Sequence, residues 1–141
     1  MSRKEFNSVG SVAALWRYPV KSMLGEAIDE VLVKSEGFLG DRMYALIDKS
    51  SGRVASAKNP AKWAKLLSFK ATYNNSVAND LLLPPPQITM PDGNVVFAGQ
   101  EGVDELISGQ IGRAVYLAET PPETPNVERL DTFTEDETIV D

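Results

Sequence analysis

The chain has 141 residues, 43% hydrophobic and 24% charged, with no cysteine, no histidine and a formal net charge of -6. That length supports one ordinary domain with its own core. The missing residue types exclude a disulfide, a thiolate nucleophile, a zinc-finger site, an imidazole base and a Ser-His-Asp triad, so a complete enzyme built from this chain would work with carboxylates, lysines, tyrosines and hydroxyls, or with a borrowed cofactor.

Short apolar runs separated by Gly, Pro, Asp or Asn recur along the chain, which is the pattern of a small β-rich domain. Residues 9–18 are predicted as a first strand, stopped by Pro19, which has no N–H to donate to a ladder. Residues 28–33 read as a second strand, 37–41 as a turn and 43–48 as a third strand. Lys49-Ser50-Ser51-Gly52 carries hairpin chemistry, with Gly52 free to take a positive φ, and residues 53–57 follow as a short fourth strand. Asn59-Pro60 predicts a helix start, an N-cap followed by a proline whose missing N–H costs nothing at the first helical position. The helix is expected to run to about Leu67, with Trp63, Leu66 and Leu67 on one face.

Residues 69–73 return to extended structure, 74–80 read as a loop and Pro84-Pro85-Pro86 as a stiff connector. Strands at 87–90 and 94–97 flank Pro91-Asp92-Gly93, a hairpin turn. Residues 101–111 have Val103, Leu106, Ile107 and Ile111 at helical spacing before Gly112, a C-cap, and 114–118 form a last strand. Seven or eight strands in mostly hairpin order with two short helices predict a mostly β fold, a small antiparallel β-barrel. The domain is placed at 1–118, followed by an acidic, proline-containing linker or tail at 119–141.

Divided along the chain, the charge changes meaning. Residues 119–141 hold eight acids against one base, a net of -7. Residues 42–70 hold seven bases against Asp48, a net of +6. The start has no apolar run of signal-peptide length, and no stretch of about 18 apolar residues could span a bilayer. The reading is a soluble, cytoplasmic chain.

Three clusters could carry chemistry. Tyr18-Pro19-Val20-Lys21-Ser22 ends a strand with an ammonium beside a hydroxyl, a pair suited to a phosphate oxygen. The plain alternative is an exposed lysine and a serine satisfying its own turn. Gly37-Phe38-Leu39-Gly40-Asp41-Arg42 sets a guanidinium fork at the start of a strand, where an ion pair with Asp41 or another carboxylate is the alternative. Ser56-Ala57-Lys58-Asn59-Pro60 leads into a helix N-terminus flanked by Lys58 and Lys62, ground for a secondary anion or substrate contact through Ser56 and Lys58. Trp63, on a face with Leu66 and Leu67, is read as core and not as a stacking platform.

The segments Leu15 to Glu26, Gly37 to Asp48 and Ser56 to Leu67, in this order, resemble the N-terminal β-barrel domain of MOSC proteins, the molybdenum cofactor sulfurase C-terminal family. The resemblance implies a barrel preceding a MOSC domain proper, with molybdopterin-type cofactor bound between the two. It implies that Lys21, Ser22 and Arg42 face the terminal phosphate of the pterin. Pyridoxal phosphate is a second cofactor associated with the wider family. Family enzymes carry a cysteine in the MOSC domain, to bind molybdenum or take up sulfur, and this chain has none, so no catalytic or metal-ligating residue is assigned. The expectation is a front half whose partner is a MOSC domain in the same or a separate chain. The isolated chain would be inactive, and the whole protein a molybdenum-cofactor-dependent oxidoreductase or sulfur-carrier enzyme. Amidoxime-reducing members tend to have a small polar residue where Met23 stands, so their substrates are not carried over.

Three other classes compete with this one. A stand-alone interaction module would use the acidic tail for partner binding. A single-strand nucleic-acid barrel would need Trp63, Phe69 and Tyr73 exposed beside the basic stretch, whereas they fit core positions, and nucleic acid is not expected as a partner. A hydrolase with paired carboxylates would need more than Asp29-Glu30 or Asp104-Glu105, whose neighbouring side chains diverge.

Overall fold

The computed structural model describes residues 7–73 and 83–119. Among them are nine short strands and two α-helices: β1 Leu15–Arg17, β2 Glu26–Ile28, β3 Val33–Lys34, β4 Gly37–Phe38, β5 Tyr44–Asp48, α1 Pro60–Trp63, β6 Lys70–Thr72, β7 Gln87–Thr89, β8 Val95–Phe97, α2 Val103–Ile111 and β9 Val115–Glu119. The fold class is as the sequence implies, mostly β with two short helices.

The strands pair antiparallel, β1 with β2, β3 with β4, β5 with β9, and β6–β7–β8 in order, while the isolated bridges made by Val20 and Leu24 are parallel. The segment between β1 and β2 joins two of these sheets. Val20 bridges to Tyr44 of β5, and Leu24 bridges to Lys70 of β6. Backbone bonds reinforce both joints, Lys21 N–H to Tyr44 O at 2.9 Å and Ala71 N–H to Leu24 O at 2.9 Å. The result is a curled chain of pairings, β9–β5, then residues 20–24, then β6–β7–β8. Among the described residues it does not close into a ring.

In β5 the pleat has period two and both faces are covered. Leu46 enters the main core with Val20, Met23, Trp63 and Phe69, while Ala45 and Ile47 pack with Val54 and Ala118 on the other side. Helix α2 places Val103, Ile107 and Ile111 in one buried stripe, leaving Leu106 exposed. It is locked to β9 by Asp104, which accepts from Leu117 N–H at 2.9 Å, and by the Ser108 hydroxyl, which bonds both N–H and C=O of Val115. Gly112 ends it as expected, in a left-handed conformation with its N–H on Ser108 O.

Several predicted elements are shorter or displaced. Residues 9–14 are not strand: Val9 and Val12 stand exposed, and β1 extends only as far as its partner β2. Residues 28–33 are not one strand either, because Ile28 closes β2 and Val33 opens β3. Gly37 and Phe38, predicted as turn, pair with Lys34 and Val33 in a small hairpin. Residues 53–57 make one bridge to β5, Val54 to Ile47, carried by Asp48 N–H to Arg53 O at 2.9 Å and Ala55 N–H to Leu46 O at 2.8 Å. The turn before them forms as predicted, with Gly52 at φ 72°. The 91–93 hairpin also forms, with Met90 N–H on Asn94 O at 2.8 Å. The predicted loop at 74–80 lies outside the described residues.

The helix after Asn59 is the most instructive difference. It holds α geometry for one turn and then winds as 3-10 over Ala64–Ser68. A 3-10 turn aligns residues three apart. Trp63, Leu66 and Phe69 therefore form one buried stripe, each 0% exposed, and Leu67 is rotated outward to 52%. Asn59 makes no side-chain cap; its carbonyl takes N–H groups from Lys62 and Trp63 instead.

Candidate functional site

The Val-Lys-Ser turn is held by backbone on one side and by a distant segment on the other. Lys21 donates its N–H to β5, as above, and its side chain is half-buried. The Ser22 oxygen accepts the N–H of Ala57 at 3.0 Å, 35 residues away. The hydroxyl thus does not serve its own turn. It draws the Ser56–Lys58 turn against the Lys21–Ser22 turn, and two of the three sequence clusters meet there.

The third cluster is fastened to the same segment from its other end. Arg42 donates its N–H to Tyr18 O at 2.6 Å, and Asp41 Oδ1 accepts Tyr18 N–H at 2.7 Å. The Arg42 guanidinium bonds Asp41 Oδ2 and lies 5.1 Å from the Tyr18 ring centroid. The predicted alternative at Arg42, an ion pair with Asp41, is therefore present. The side chain is nonetheless 57% exposed and uses one of its five donors on Asp41.

Ser22 has φ 68° and Arg42 φ 49°, and they are the only described non-glycine residues with positive φ. Such backbone costs roughly 1–3 kcal/mol per residue and persists where surrounding structure over-determines it. Here the determinants are the bonds to Ala57 and Tyr18.

Ser56 is buried, its hydroxyl accepting Lys58 N–H at 3.2 Å, and Lys58 is exposed. The α-helical stretch beyond them is a single turn, so it provides only a short dipole. Two bases of the +6 segment are committed elsewhere. Lys65 bonds Gln110 O at 3.2 Å, and Lys62 pairs with Asp48 at 3.3 Å. Lys62 is thereby drawn away from the expected helix-start site.

Asp48 is a buried carboxylate that no motif signalled. Burial raises its pKa, but the backbone and hydroxyl bonds from Ser50 and the Lys62 ammonium outweigh burial, and the net shift is downward from 3.8. A lowered folded-state value contributes stability that is fully present above the unfolded pKa and is lost as pH falls through the folded one. Acid unfolding of Asp48→Asn is accordingly expected to show a flatter dependence below about pH 4 than the parent, read from urea midpoints at a series of pH values.

Sequence reasoning also missed a buried cluster behind the Asp41–Arg42 turn. Arg17, 4% exposed, pairs with Glu26 at 3.0 Å and lies over the Tyr73 ring at 4.8 Å. Glu26 accepts Tyr73 N–H at 3.2 Å, and the Tyr73 hydroxyl donates to Gly40 O at 3.0 Å. An arginine inside a three-residue strand gives no local sign of its burial. The one available signal was Glu26, placed opposite it in a short hairpin.

Two of the competing readings, the single-strand nucleic-acid barrel and the paired-carboxylate hydrolase, lose their premises. Trp63, Phe69 and Tyr73 are 0%, 0% and 5% exposed, so they offer no stacking surface. Asp104 is occupied in holding β9, while Asp29 and Glu30 are exposed. Among the described residues no helix is long and apolar enough to cross a membrane, and no group of three or more acidic residues could hold a metal ion.

Comparison with known proteins agrees with this architecture. The chain is 31% identical over 99 residues to mitochondrial amidoxime-reducing component 1 of Mus musculus, covering 65% of this chain and 28% of that protein. It is 32% identical over 101 residues to the Homo sapiens component 1, covering 67% and 29%. Component 2 of Macaca fascicularis is 32% identical over 96 residues, covering 63% and 27%. The chain thus matches less than a third of the length of these relatives. Residues 9–95 match the family described as the MOSC N-terminal beta barrel domain, and the chain belongs to that family.

Proposed function

We propose that this chain is the recognition domain of a larger MOSC protein, in which Lys21, Ser22 and Arg42 grip the terminal phosphate of a molybdopterin-type cofactor while Ser56 and Lys58 border it. The observation that carries the reading is the backbone at Ser22 and Arg42, the two non-glycine residues with positive φ among the described residues, one in each motif. Retained strain of this kind concentrates where a side chain must be aimed.

The donor set fits a phosphate monoester. The Ser22 oxygen is satisfied by Ala57, and its proton has no acceptor among the described residues. Arg42 contributes a planar fork and Lys21 a point charge. Pyridoxal phosphate carries the same monoester and is the second candidate. The bound cofactor would supply the redox or sulfur-transfer chemistry. This chain would bind and orient its phosphate, and a MOSC domain in the same or a separate chain would contribute the reacting groups. The whole protein would then be an oxidoreductase or a sulfur carrier. Met23, 2% exposed, packs in the core and offers no polar contact, so amidoxime substrates are not carried over from the relatives' names.

Calorimetric titration with molybdopterin and with pyridoxal phosphate tests the grip. A charge-assisted bond at a half-exposed site corresponds to roughly tenfold in affinity. Lys21→Ala and Arg42→Ala are each expected to weaken binding by about that factor. Unchanged affinity in both variants defeats the proposal.

A further inference from the structure

We infer that Tyr73 is a positioning residue for Arg42: its hydroxyl, donated to the Gly40 carbonyl, sets the turn from which the guanidinium meets an anion. The inference rests on the reading of Arg42 as an anion-binding group.

Tyr73 is itself held before it holds anything. Its N–H is taken by Glu26, which is fixed by Arg17, and the Arg17 guanidinium covers its ring. With main chain and ring both anchored, the hydroxyl reaches back 33 residues to Gly40. The fit there is close: a Cβ on Gly40 would lie 2.9 Å from Tyr73 Cε2 and 3.3 Å from Arg17 Cδ, and φ is +86°. Only glycine allows the backbone this near the ring.

Two peptide units separate that carbonyl from Arg42, so any rotation of the Gly40 unit is passed to Asp41 and then to the left-handed Arg42. Both are clasped by Tyr18, through Asp41 Oδ1 and the Arg42 N–H. The Arg42 guanidinium bears on Asp41 and the Tyr18 ring, the same pieces the clasp fixes. Tyr73 acts as a constant neutral donor. Burial, then neighbouring Tyr44, push its phenol far above the ordinary value, Glu26 and Asp41 add to this, and Arg17 only partly opposes it.

The test uses the full chain, with Tyr73→Phe, Arg42→Ala and the double variant, and inorganic phosphate as the probe in an NMR titration. Tyr73→Phe keeps the ring and deletes one hydrogen bond. Exchange of the Arg42 amide is expected to accelerate about tenfold while that of Lys49, bonded to Ala114 across β5 and β9, is unchanged. Phosphate affinity should fall about three- to tenfold, and the double variant should bind no more weakly than Arg42→Ala. An unaltered Arg42 amide, or losses that add in the double variant, overturns the inference. If the Arg42 amide loosens but Arg42→Ala leaves phosphate affinity unchanged, the clasp stands and the anion-binding reading falls. Should Tyr73→Phe prove too unstable for NMR, parent and variants are compared in a stabilising osmolyte such as trimethylamine N-oxide, and the same pattern is expected.

Discussion

Glu26→Ala is expected to destabilise the domain by about 3–5 kcal/mol, because it leaves the Arg17 guanidinium buried without its counter-charge. The Arg17 and Glu26 side chains are 5% and 14% exposed, so solvent screens the pair little. The substitution also deprives Tyr73 N–H of its acceptor. A typical domain has about 5–15 kcal/mol in total, so the variant would sit near the limit of folding. The attraction within a buried pair is largely offset by the cost of desolvating both ions. Replacing both residues by Met should therefore cost much less than Glu26→Ala. Urea unfolding of the parent and the two variants checks this ordering, and a double Met variant as unstable as Glu26→Ala would refute it.

Trp63→Ala is the second large effect, about 3–5 kcal/mol, since it empties the centre of the main core. Trp63 is fully buried and stacks in the three-residue stripe with Leu66 and Phe69. Its indole N–H has no hydrogen-bond partner among the described residues, and a buried unpaired donor costs about 1–3 kcal/mol. Both Trp63→Ala and Trp63→Phe remove that donor, but Trp63→Phe keeps most of the packed ring, so its cost is expected to fall well below that of Trp63→Ala. Thermal and urea unfolding of both variants measures the difference. Equal losses would refute the packing argument, since both variants delete the indole N–H and differ only in the volume they leave unfilled.

How legible each part was depended on whether its cause was local. Turn chemistry is a property of a few consecutive residues, and the hairpin at Pro91-Asp92-Gly93, the turn at Gly52 and the C-cap at Gly112 all form as predicted. Strand length is not local. It depends on where a partner ends, so residues 9–14 had apolar content without anything to pair with. The winding after Asn59 differs from the expected helix for a related reason: 3.6 and 3.0 periods both place Trp63 and Leu66 inside, and only Phe69 at the next step of three decides between them.

For the site, composition and motif spacing by themselves determined which residue types could act: no thiolate, no imidazole, and an ammonium, a hydroxyl and a guanidinium in three separate segments. They also placed Trp63, Phe69 and Tyr73 in the core. Only the tertiary structure decided that Ser22 spends its oxygen on Ala57, that Lys62 turns to Asp48, and that the Tyr73 hydroxyl bonds the Gly40 carbonyl two residues before Arg42. Each of these joins residues that lie 14 to 35 positions apart or are linked through an intermediate backbone atom. Such pairings are chosen by how the sheets curl around residues 20–24, and no local pattern of residues encodes that curl.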